Sequence, residues 1–189
     1  KKRSLPNVPA LKSDFKEQIN GYKVVDPFRP MEEMKAASEW IEAQNARTQK
    51  YLKELPDDVT PDVTKYMGIG YITNPKMAGA AVFYTKRDGE MEKAVLAALI
   101  DGKETIILDP TKIDASGKTE IDWFYPSPDG KLVAYGLSKA GDENSSLSVI
   151  ETATLKTLPD SISNMTLASV AWLKDSTGFY YTRFPENDR

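Results

Sequence analysis

The sequence predicts a mainly β fold with an N-terminal α segment, and the strands are predicted to form part of a β-propeller. Three observations lead to this prediction. Between Pro30 and Leu55, apolar residues recur at steps of three and four, which is typical of one face of a helix. After Gly70 the sequence changes to short β-rich runs separated by turn sequences. Those runs recur at an interval of about 40 to 50 residues, which is typical of propeller blades.

The predicted helix has residues at both ends that suit helix termini. Pro30 fits the first turn, where its missing N–H costs no hydrogen bond. Glu32 complements the positive end of the helix dipole, and Lys53 complements the negative end. Pro56 follows as a helix breaker, so we expect the helix to run from Pro30 to Leu55.

The segment between this helix and the strands is predicted to be a polar connection with a short second helix. Thr60 and Pro61 are expected to begin that helix, and Gly68 is expected to end it. The three aspartates between residues 57 and 62 carry oxygen ligands of the kind that calcium prefers. Their spacing is not that of a calcium-binding loop, so we interpret them as solvated turn carboxylates and predict no metal site.

Eight strands are predicted after Gly70, and turn sequences separate them. The predicted strands span residues 81–85, 94–100, 105–108, 121–125, 132–137, 147–150, 170–173 and 179–182. The turns from Ser127 to Gly130 and from Asp175 to Gly178 combine side-chain caps with a glycine that accepts positive φ. Such turns are typical of antiparallel hairpins.

A repeat runs through these strands. Tyr84, Tyr135 and Tyr181 each lie in a strand, and consecutive members are about 50 residues apart. A four-stranded unit of this length is typical of a propeller blade. The stretch from Gly70 to Arg189 holds little more than about two and a half such units, whereas a propeller closes with at least about four blades. The predicted propeller is therefore incomplete.

Composition excludes several kinds of function. The 25 basic and 28 acidic residues give a net charge of -3 with no basic cluster, so nucleic acid and membranes are not expected as partners. The chain has no cysteine and no histidine, which excludes a cysteine nucleophile and a Ser-His-Asp triad within it. Gly68-Ile69-Gly70 lacks the third glycine of a dinucleotide loop, so no cofactor is expected. The compartment stays open between the cytoplasm and a bacterial periplasm.

Motifs in the helical segment and in the blades follow one another in the order found in a known family. Gly21 to Arg29 reads G-Y-K-V-V-D-P-F-R, and the helix contains W-I-E-A-Q-N from Trp40 to Asn45. Further matching segments are Leu108–Pro110, Ser127–Ser138, Leu158–Asp160, Ala171–Trp172 and Gly178–Tyr181. Together these motifs resemble the N-terminal part of the prolyl oligopeptidase family of serine peptidases, from about residue 20 onward. Two departures, at residues 30–32 (family W-L-E) and 141–144 (family G-S-D-W), indicate a diverged member.

The resemblance implies a seven-bladed propeller that covers an α/β-hydrolase domain. In the family, the hydrolase domain begins with the N-terminal helical segment and resumes after the propeller, and its catalytic serine, aspartate and histidine lie in that later part. Residues 1–67 are then the helical segment that packs on a hydrolase domain absent from this sequence, and residues 68–189 are the first two to three blades. The resemblance therefore implies part of a serine endopeptidase that hydrolyses short peptides after proline, with the propeller controlling substrate access and no catalytic residue in this chain.

Two substrate-site residues are predicted from the resemblance. Glu143 aligns with an acidic residue of the family that lies on the propeller face toward the catalytic domain and pairs with an arginine near the active site. Leu167 lies five residues before Trp172, where the family carries an aromatic residue that reaches the substrate pocket. A solvated loop glutamate and an ordinary blade leucine are the alternative interpretations.

A second function class stays open, namely a non-catalytic propeller module that binds proteins or peptides and shares only ancestry with the peptidases. The two interpretations differ in what the gene encodes after Arg189. In either case, an unclosed propeller leaves a strand edge and an apolar helix face without partners. We therefore expect the isolated 189-residue chain to self-associate.

Overall fold

The structure, a computed structural model, describes residues 8–55 and 59–185. The chain divides into two compact units, the first ending at Pro61 and the second beginning at Asp62. The domain boundary predicted between residues 67 and 68 stays a prediction. Pro56, the predicted helix breaker, and the aspartates at 57 and 58 lie outside the described residues.

The first unit contains a β-hairpin followed by a helix. Strands β1 (Lys16–Ile19) and β2 (Tyr22–Val25) pair antiparallel. Asn20 and Gly21 turn the chain between them with φ of 49° and 85°, which suits a two-residue hairpin turn. This hairpin lies outside the predicted elements, because its strands are only four residues long and are mostly exposed, so they lack a hydrophobic alternation.

A 3₁₀ turn (Arg29–Glu32) precedes helix α1 (Met34–Lys53). The helical prediction for this region is confirmed, but the predicted first turn is the 3₁₀ turn. Glu33 separates the 3₁₀ turn from α1, because its backbone is extended, with φ −85° and ψ 110°. Lys50 and Lys53 lie in the last turn of α1, where their charges favour the negative end of the dipole.

Arg29 joins the hairpin to the 3₁₀ turn, which explains the D-P-F-R motif in physical terms. Its guanidinium forms ion pairs with Glu17 of β1, with Asp26 and with Glu32. The same group lies 4.6 Å from the ring centroid of Phe15. One arginine thus contacts residues before, within and after the motif.

Helix α2 (Thr60–Met67) forms as predicted and contains the boundary between the two units. The second unit then continues as antiparallel sheets in which each strand pairs with the next. The first sheet contains β3 (Tyr71–Ala78), β4 (Ala81–Arg87), β5 (Val95–Ile100) and β6 (Lys103–Leu108). After the short helix α3 (Pro110–Ile113), the second sheet contains β7 (Thr119–Pro126), β8 (Leu132–Lys139), β9 (Ser146–Glu151) and β10 (Thr157–Ile162). A hairpin of β11 (Val170–Trp172) and β12 (Phe179–Tyr181) follows. Two complete four-stranded blades and the start of a third confirm the predicted fold class, an unclosed β-propeller segment.

Two strands of the blades lie outside the predicted elements. Strand β3 lies at one edge of the first sheet and strand β10 at one edge of the second, and both are largely exposed. Each contains a proline, Pro75 or Pro159, and each departs from regular register beside it. Proline within a run weakens a strand prediction, and an exposed edge strand needs no apolar alternation.

The cores of the second unit lie between successive blades. Phe83, Phe124 and Val133 are almost fully buried between the first two sheets. A second cluster, around Leu147 and Met165, lies between the second sheet and the β11–β12 hairpin, with Trp123 and Trp172 packed against it. The burial of one sheet face against the next sheet is the principle of propeller stability.

The antiparallel order places the connections at two opposite ends of the blades. We call the end with the β3–β4, β5–β6, β7–β8, β9–β10 and β11–β12 connections the turn end. The loop end holds the β4–β5, β6–β7, β8–β9 and β10–β11 connections. No helix within the described ranges is both long enough and apolar enough to cross a membrane.

Candidate functional site

The loop that carries Glu143 connects β8 to β9 at the loop end. Ala140, Gly141 and Glu143 hold positive φ values of 54°, 75° and 56°, so the chain reverses tightly. The Asp142 carboxylate accepts a hydrogen bond from the Asn144 N–H at 3.0 Å, which fixes the loop from within. Glu143 is exposed, and its backbone conformation carries a steric cost for a residue with a side chain.

Asp122 of β7 anchors both ends of this loop. One carboxylate oxygen accepts a hydrogen bond from the Ser138 hydroxyl at 2.9 Å, and the other accepts one from the Ser145 hydroxyl at 2.5 Å. Both serines are buried. The polar side chains that precede and follow the loop are therefore held to the adjacent strand, which limits how far Glu143 can move.

The loop that carries Leu167 connects β10 to β11. Met165 is fully buried and anchors the loop, and its N–H donates to the Ser145 carbonyl at 3.0 Å. Leu167, two residues later, is 89% exposed and has a φ of 52°. An aliphatic side chain in a left-handed conformation and almost fully in water gains little from burial within this chain, which marks it as a candidate for contact with another molecule.

Side-chain amides connect the two loops. The Asn144 amide nitrogen donates to the Asn164 amide oxygen at 3.4 Å, and the Thr166 hydroxyl donates to the Asn144 amide oxygen at 3.3 Å. Together with the backbone bond from Met165, these contacts couple the loop of Glu143 to the loop of Leu167. We call Asn144, Asn164 and Thr166 the loop bridge.

Two adjoining grooves lie at this place. The larger has a volume of about 260 Å³ and is lined by Asp142, Glu143, Asn144, Asn164, Thr166, Phe184 and Pro185. The smaller has a volume of about 150 Å³ and is lined by Thr166, Leu167, Thr182, Arg183 and Phe184. Thr166 and Phe184 belong to both, so Glu143 and Leu167 lie on neighbouring grooves that share a wall.

Sequence reasoning missed the residues that complete these grooves. Asn164 and Thr166 belong to an N-x-T sequence, which matches a glycosylation pattern and does not indicate a groove, and Phe184 follows the last predicted strand. Their proximity to Glu143 follows from the packing of β10, β11 and β12, about 20 or more residues away in sequence. A local motif search has no signal for such a contact.

A third groove, of about 320 Å³, lies at the loop end between the first two sheets. Its cations are engaged within the protein. Arg87 donates to the Met67 and Met91 carbonyls, both at 2.8 Å, and Lys93 forms an ion pair with Glu120 at 2.5 Å. These contacts give the groove a structural role. Within residues 8–55 and 59–185, no cluster of three or more carboxylates has the geometry of a metal site.

Comparisons with known proteins place this chain in a family. The family model described as "Prolyl oligopeptidase, N-terminal beta-propeller domain" matches residues 9–189. The prolyl endopeptidase of Elizabethkingia meningoseptica is 27% identical over 169 residues, which cover 87% of this chain and 24% of that protein. Prolyl oligopeptidase A of Galerina marginata is 25% identical and covers 96% of this chain and 29% of its own length.

Solved structures show the same fold. A structure from a mechanistic study of two prolyl endopeptidases superposes with a TM-score of 0.80 at 25% identity, over 98% of this chain and 28% of that one. Prolyl oligopeptidase B of Galerina marginata, bound to a 35mer hydrolysis and macrocyclization substrate, superposes with a TM-score of 0.72 at 22% identity, over 95% of this chain and 30% of its own. The chain thus spans about a quarter to a third of the length of the relatives that it matches.

Proposed function

The chain belongs to the prolyl oligopeptidase family, and we propose that it is the N-terminal and propeller part of a serine endopeptidase that hydrolyses short peptides after proline. The observation that carries the proposal is the adjacency of Glu143 and Leu167. Each was predicted separately from the family resemblance, and they line two grooves with a shared wall at one end of the blades. The chain has no histidine, so the acyl-transfer chemistry belongs to a hydrolase domain encoded outside this sequence.

In the proposed enzyme, Glu143 pairs with an arginine of the hydrolase domain near the reacting peptide bond. The support is its exposure on a loop that Asp122 and the loop bridge hold in place. A carboxylate presented in this manner can orient a guanidinium by paired, charge-assisted hydrogen bonds. Glu143 is then a positioning residue, since it acts on the substrate through the arginine.

Leu167 forms one wall of the substrate pocket in the same proposal. Its side chain is almost fully exposed in this chain, as expected for a surface that another domain and a peptide cover. A leucine in place of an aromatic residue gives a smaller wall with less area for stacking on the peptide. We therefore expect a wall that binds aliphatic groups and stacks less strongly than an aromatic wall does.

The propeller also controls access to the site in this proposal. One solved structure that resembles this chain comes from a study of two prolyl endopeptidases and of the role of inter-domain dynamics in their catalysis and specificity. The grooves are each smaller than the roughly 300 to 1,000 Å³ of a typical ligand pocket, so a second domain is expected to complete the site. Separation of the two domains would then admit the peptide, and their closure would assemble the pocket.

The test begins with the intact reading frame and its product. We expect the frame to continue past Arg189 and to encode a G-x-S-x-G elbow and a late histidine. The full-length protein should then cleave a proline-containing chromogenic peptide and lose that activity with a serine-reactive phosphonate. The 189-residue chain alone should show no turnover above buffer. A full-length protein that binds such peptides without cleaving them would instead favour the non-catalytic binding module.

A further part of the proposal concerns the isolated chain. Strand edges and the exposed side chains of α1, among them Ile41, Tyr51 and Leu52, are expected to pair with a second copy when the hydrolase domain is missing. Light scattering over a dilution series should show species larger than 21.0 kDa that dissociate on dilution. A single 21.0 kDa species at every concentration, with cooperative melting, would contradict this expectation.

A further inference from the structure

We propose that Phe184 is a specificity-determining residue of this site, and that Phe184 and Leu167 form the two apolar walls of a subsite for one apolar side chain of the peptide. The inference rests on the proposed function and adds the subsite and the residue that shapes it. Phe184 lies outside every sequence motif that indicates the family, and it is the aromatic residue that borders both grooves.

Backbone hydrogen bonds fix Phe184 relative to Leu167. The Phe184 N–H donates to the Asn164 carbonyl at 3.1 Å. Two residues earlier, the Thr182 N–H donates to the Ser169 carbonyl at 3.1 Å, and the Thr182 hydroxyl accepts from the Ser169 N–H at 3.0 Å. The segment after β12 is therefore joined on both sides of Leu167 to the loop that carries it, and the two apolar side chains form a preorganised pair.

Both apolar side chains are exposed to solvent, which is unfavourable in free energy. Leu167 is 89% exposed and Phe184 is 48% exposed, so neither contributes fully to a core of this chain. The left-handed backbone of Leu167 carries a steric cost for a residue with a Cβ. Strained backbone and adjacent exposed apolar groups point together to a surface that is covered by a bound molecule.

The size of the smaller groove limits which part of a ligand can occupy it. A volume of about 150 Å³ is well below the roughly 300 to 1,000 Å³ of a typical ligand pocket, so it offers room for one side chain and too little for a whole ligand. Across the shared wall, the larger groove is lined by Asp142, Asn144 and Asn164, whose carboxylate and amide oxygens can accept hydrogen bonds. A groove with two apolar walls beside such acceptors suits a peptide, with its side chain in the smaller groove and its N–H groups toward the larger one.

The test uses the full-length enzyme and proline peptides in which glycine or leucine occupies each position next to the proline in turn. Phe184→Ala should lower kcat/KM about tenfold for the leucine peptide at one position, mainly through KM, and leave the glycine peptides unchanged. Phe184→Leu should retain most of the leucine preference. Tyr180→Ala is the matched control, because Tyr180 is a 75% exposed aromatic residue of β12 whose side chain lines neither groove. Equal loss for all peptides, or no change in preference, would overturn the inference.

A binding measurement separates this inference from the proposed function. A proline peptide with a benzophenone side chain at the selected position should crosslink to residues 163–169 or 182–185 of the full-length protein, and Phe184→Ala should reduce that crosslinking. If the parent protein crosslinks in those segments, Phe184→Ala reduces that crosslinking, and the protein cleaves no proline peptide, the result would support the subsite and refute the peptidase. Cleavage of proline peptides with no crosslink in those segments would support the peptidase and refute the subsite.

Discussion

The two ends of the blades differ in how tightly their connections are built. At the turn end, the Gly79 N–H donates to the Pro128 carbonyl at 2.9 Å, and the Asp129 N–H donates to the Ser176 hydroxyl at 3.2 Å. Turns of three successive blades are thus bonded directly to one another. At the loop end, the β8–β9 loop of the second blade contacts the next connection mainly through the side chains of the loop bridge.

The difference extends to the residues that take a left-handed conformation. At the turn end Gly79 and Gly130 do so, with φ of 58° and 72°, where backbone atoms approach too closely for a side chain. At the loop end Glu143, Asn164 and Leu167 do so, as Asp101, Leu155 and Ser176 do in other turns of the turn end, although each has a side chain. The β3–β4 and β7–β8 turns meet a steric requirement with the residue that costs least, which is a sign of packing. The β8–β9 and β10–β11 loops carry the cost on side chains that line the two grooves, which is expected where residues are kept for binding.

The largest expected effect tests the turn end. A Cβ on Gly130 would lie 2.6 Å from the Ala78 carbonyl oxygen, in addition to the left-handed backbone, so Gly130→Ala should lower the free energy of unfolding by about 3 kcal/mol. Gly141→Ala is the matched control at the loop end, because it has a similar φ and no atom within 4 Å of its Cβ. It should cost about 1 kcal/mol. Urea unfolding measures both, and equal costs would refute the comparison.

A second prediction tests the charge at the loop end. Glu143→Gln in the full-length enzyme should lower kcat/KM about tenfold without changing stability, since the proposed arginine loses its anionic partner. The loss should shrink as salt is added, because salt screens the interaction in the parent enzyme. Asp142→Asn changes a charge on the same loop and keeps the oxygen that caps Asn144, so it should have little effect. Equal losses in both variants would show that only the net charge of the loop matters.

A third prediction concerns the coupling between the two loops. Asn144→Ala removes the central amide of the loop bridge and should lower kcat/KM about threefold, with less than additive loss when it is combined with Glu143→Gln. Ser146→Ala is the control, since Ser146 is exposed and lines neither groove. Both changes also abolish the N-x-S glycosylation pattern formed by Asn144, Ser145 and Ser146, so an effect of glycosylation would be the same in both variants. Strict additivity of the two losses would indicate that the bridge does not position Glu143.

The smallest expected effect is a dependence on acid at the connection between the two blades. Hydrogen bonds from Ser116, and from the Thr119 hydroxyl, lower the pKa of Asp114 from 3.8 to about 2. Because the folded state holds this proton less tightly than the unfolded chain, the stabilisation is complete above pH 3.8 and is lost as the pH falls toward about 2. Asp114→Asn should flatten this part of the stability profile, and Thr119→Val should flatten it less. An unchanged slope below pH 4 in Asp114→Asn would contradict the assignment.

Local sequence predicted most of the fold, and the reasons are local. The strands β4 to β9 and the turns at Ser127 and Asp175 were predictable because alternation and turn chemistry act within a few residues. Here the Ser127 hydroxyl donates to Asp129 at 2.7 Å, and the Asp129 carboxylate accepts from the Lys131 N–H at 3.1 Å, both within the turn itself. The β1–β2 hairpin and the edge strands β3 and β10 escaped prediction because their local preference for a strand is weak and pairing with a neighbouring strand makes them strands.

The sequence by itself determined the helix and the blade repeat, since periodicity and turn residues involve neighbouring positions. It predicted the two candidate site residues, Glu143 and Leu167, only through the family resemblance. Only the tertiary structure decided that Glu143 and Leu167 share a wall, and that Phe184 completes it. Those contacts join two connections and the segment after β12, and blade packing around Met165 brings them together. Side chains about 20 to 40 residues apart meet only when sheet geometry fixes their separation, and no local pattern encodes that distance.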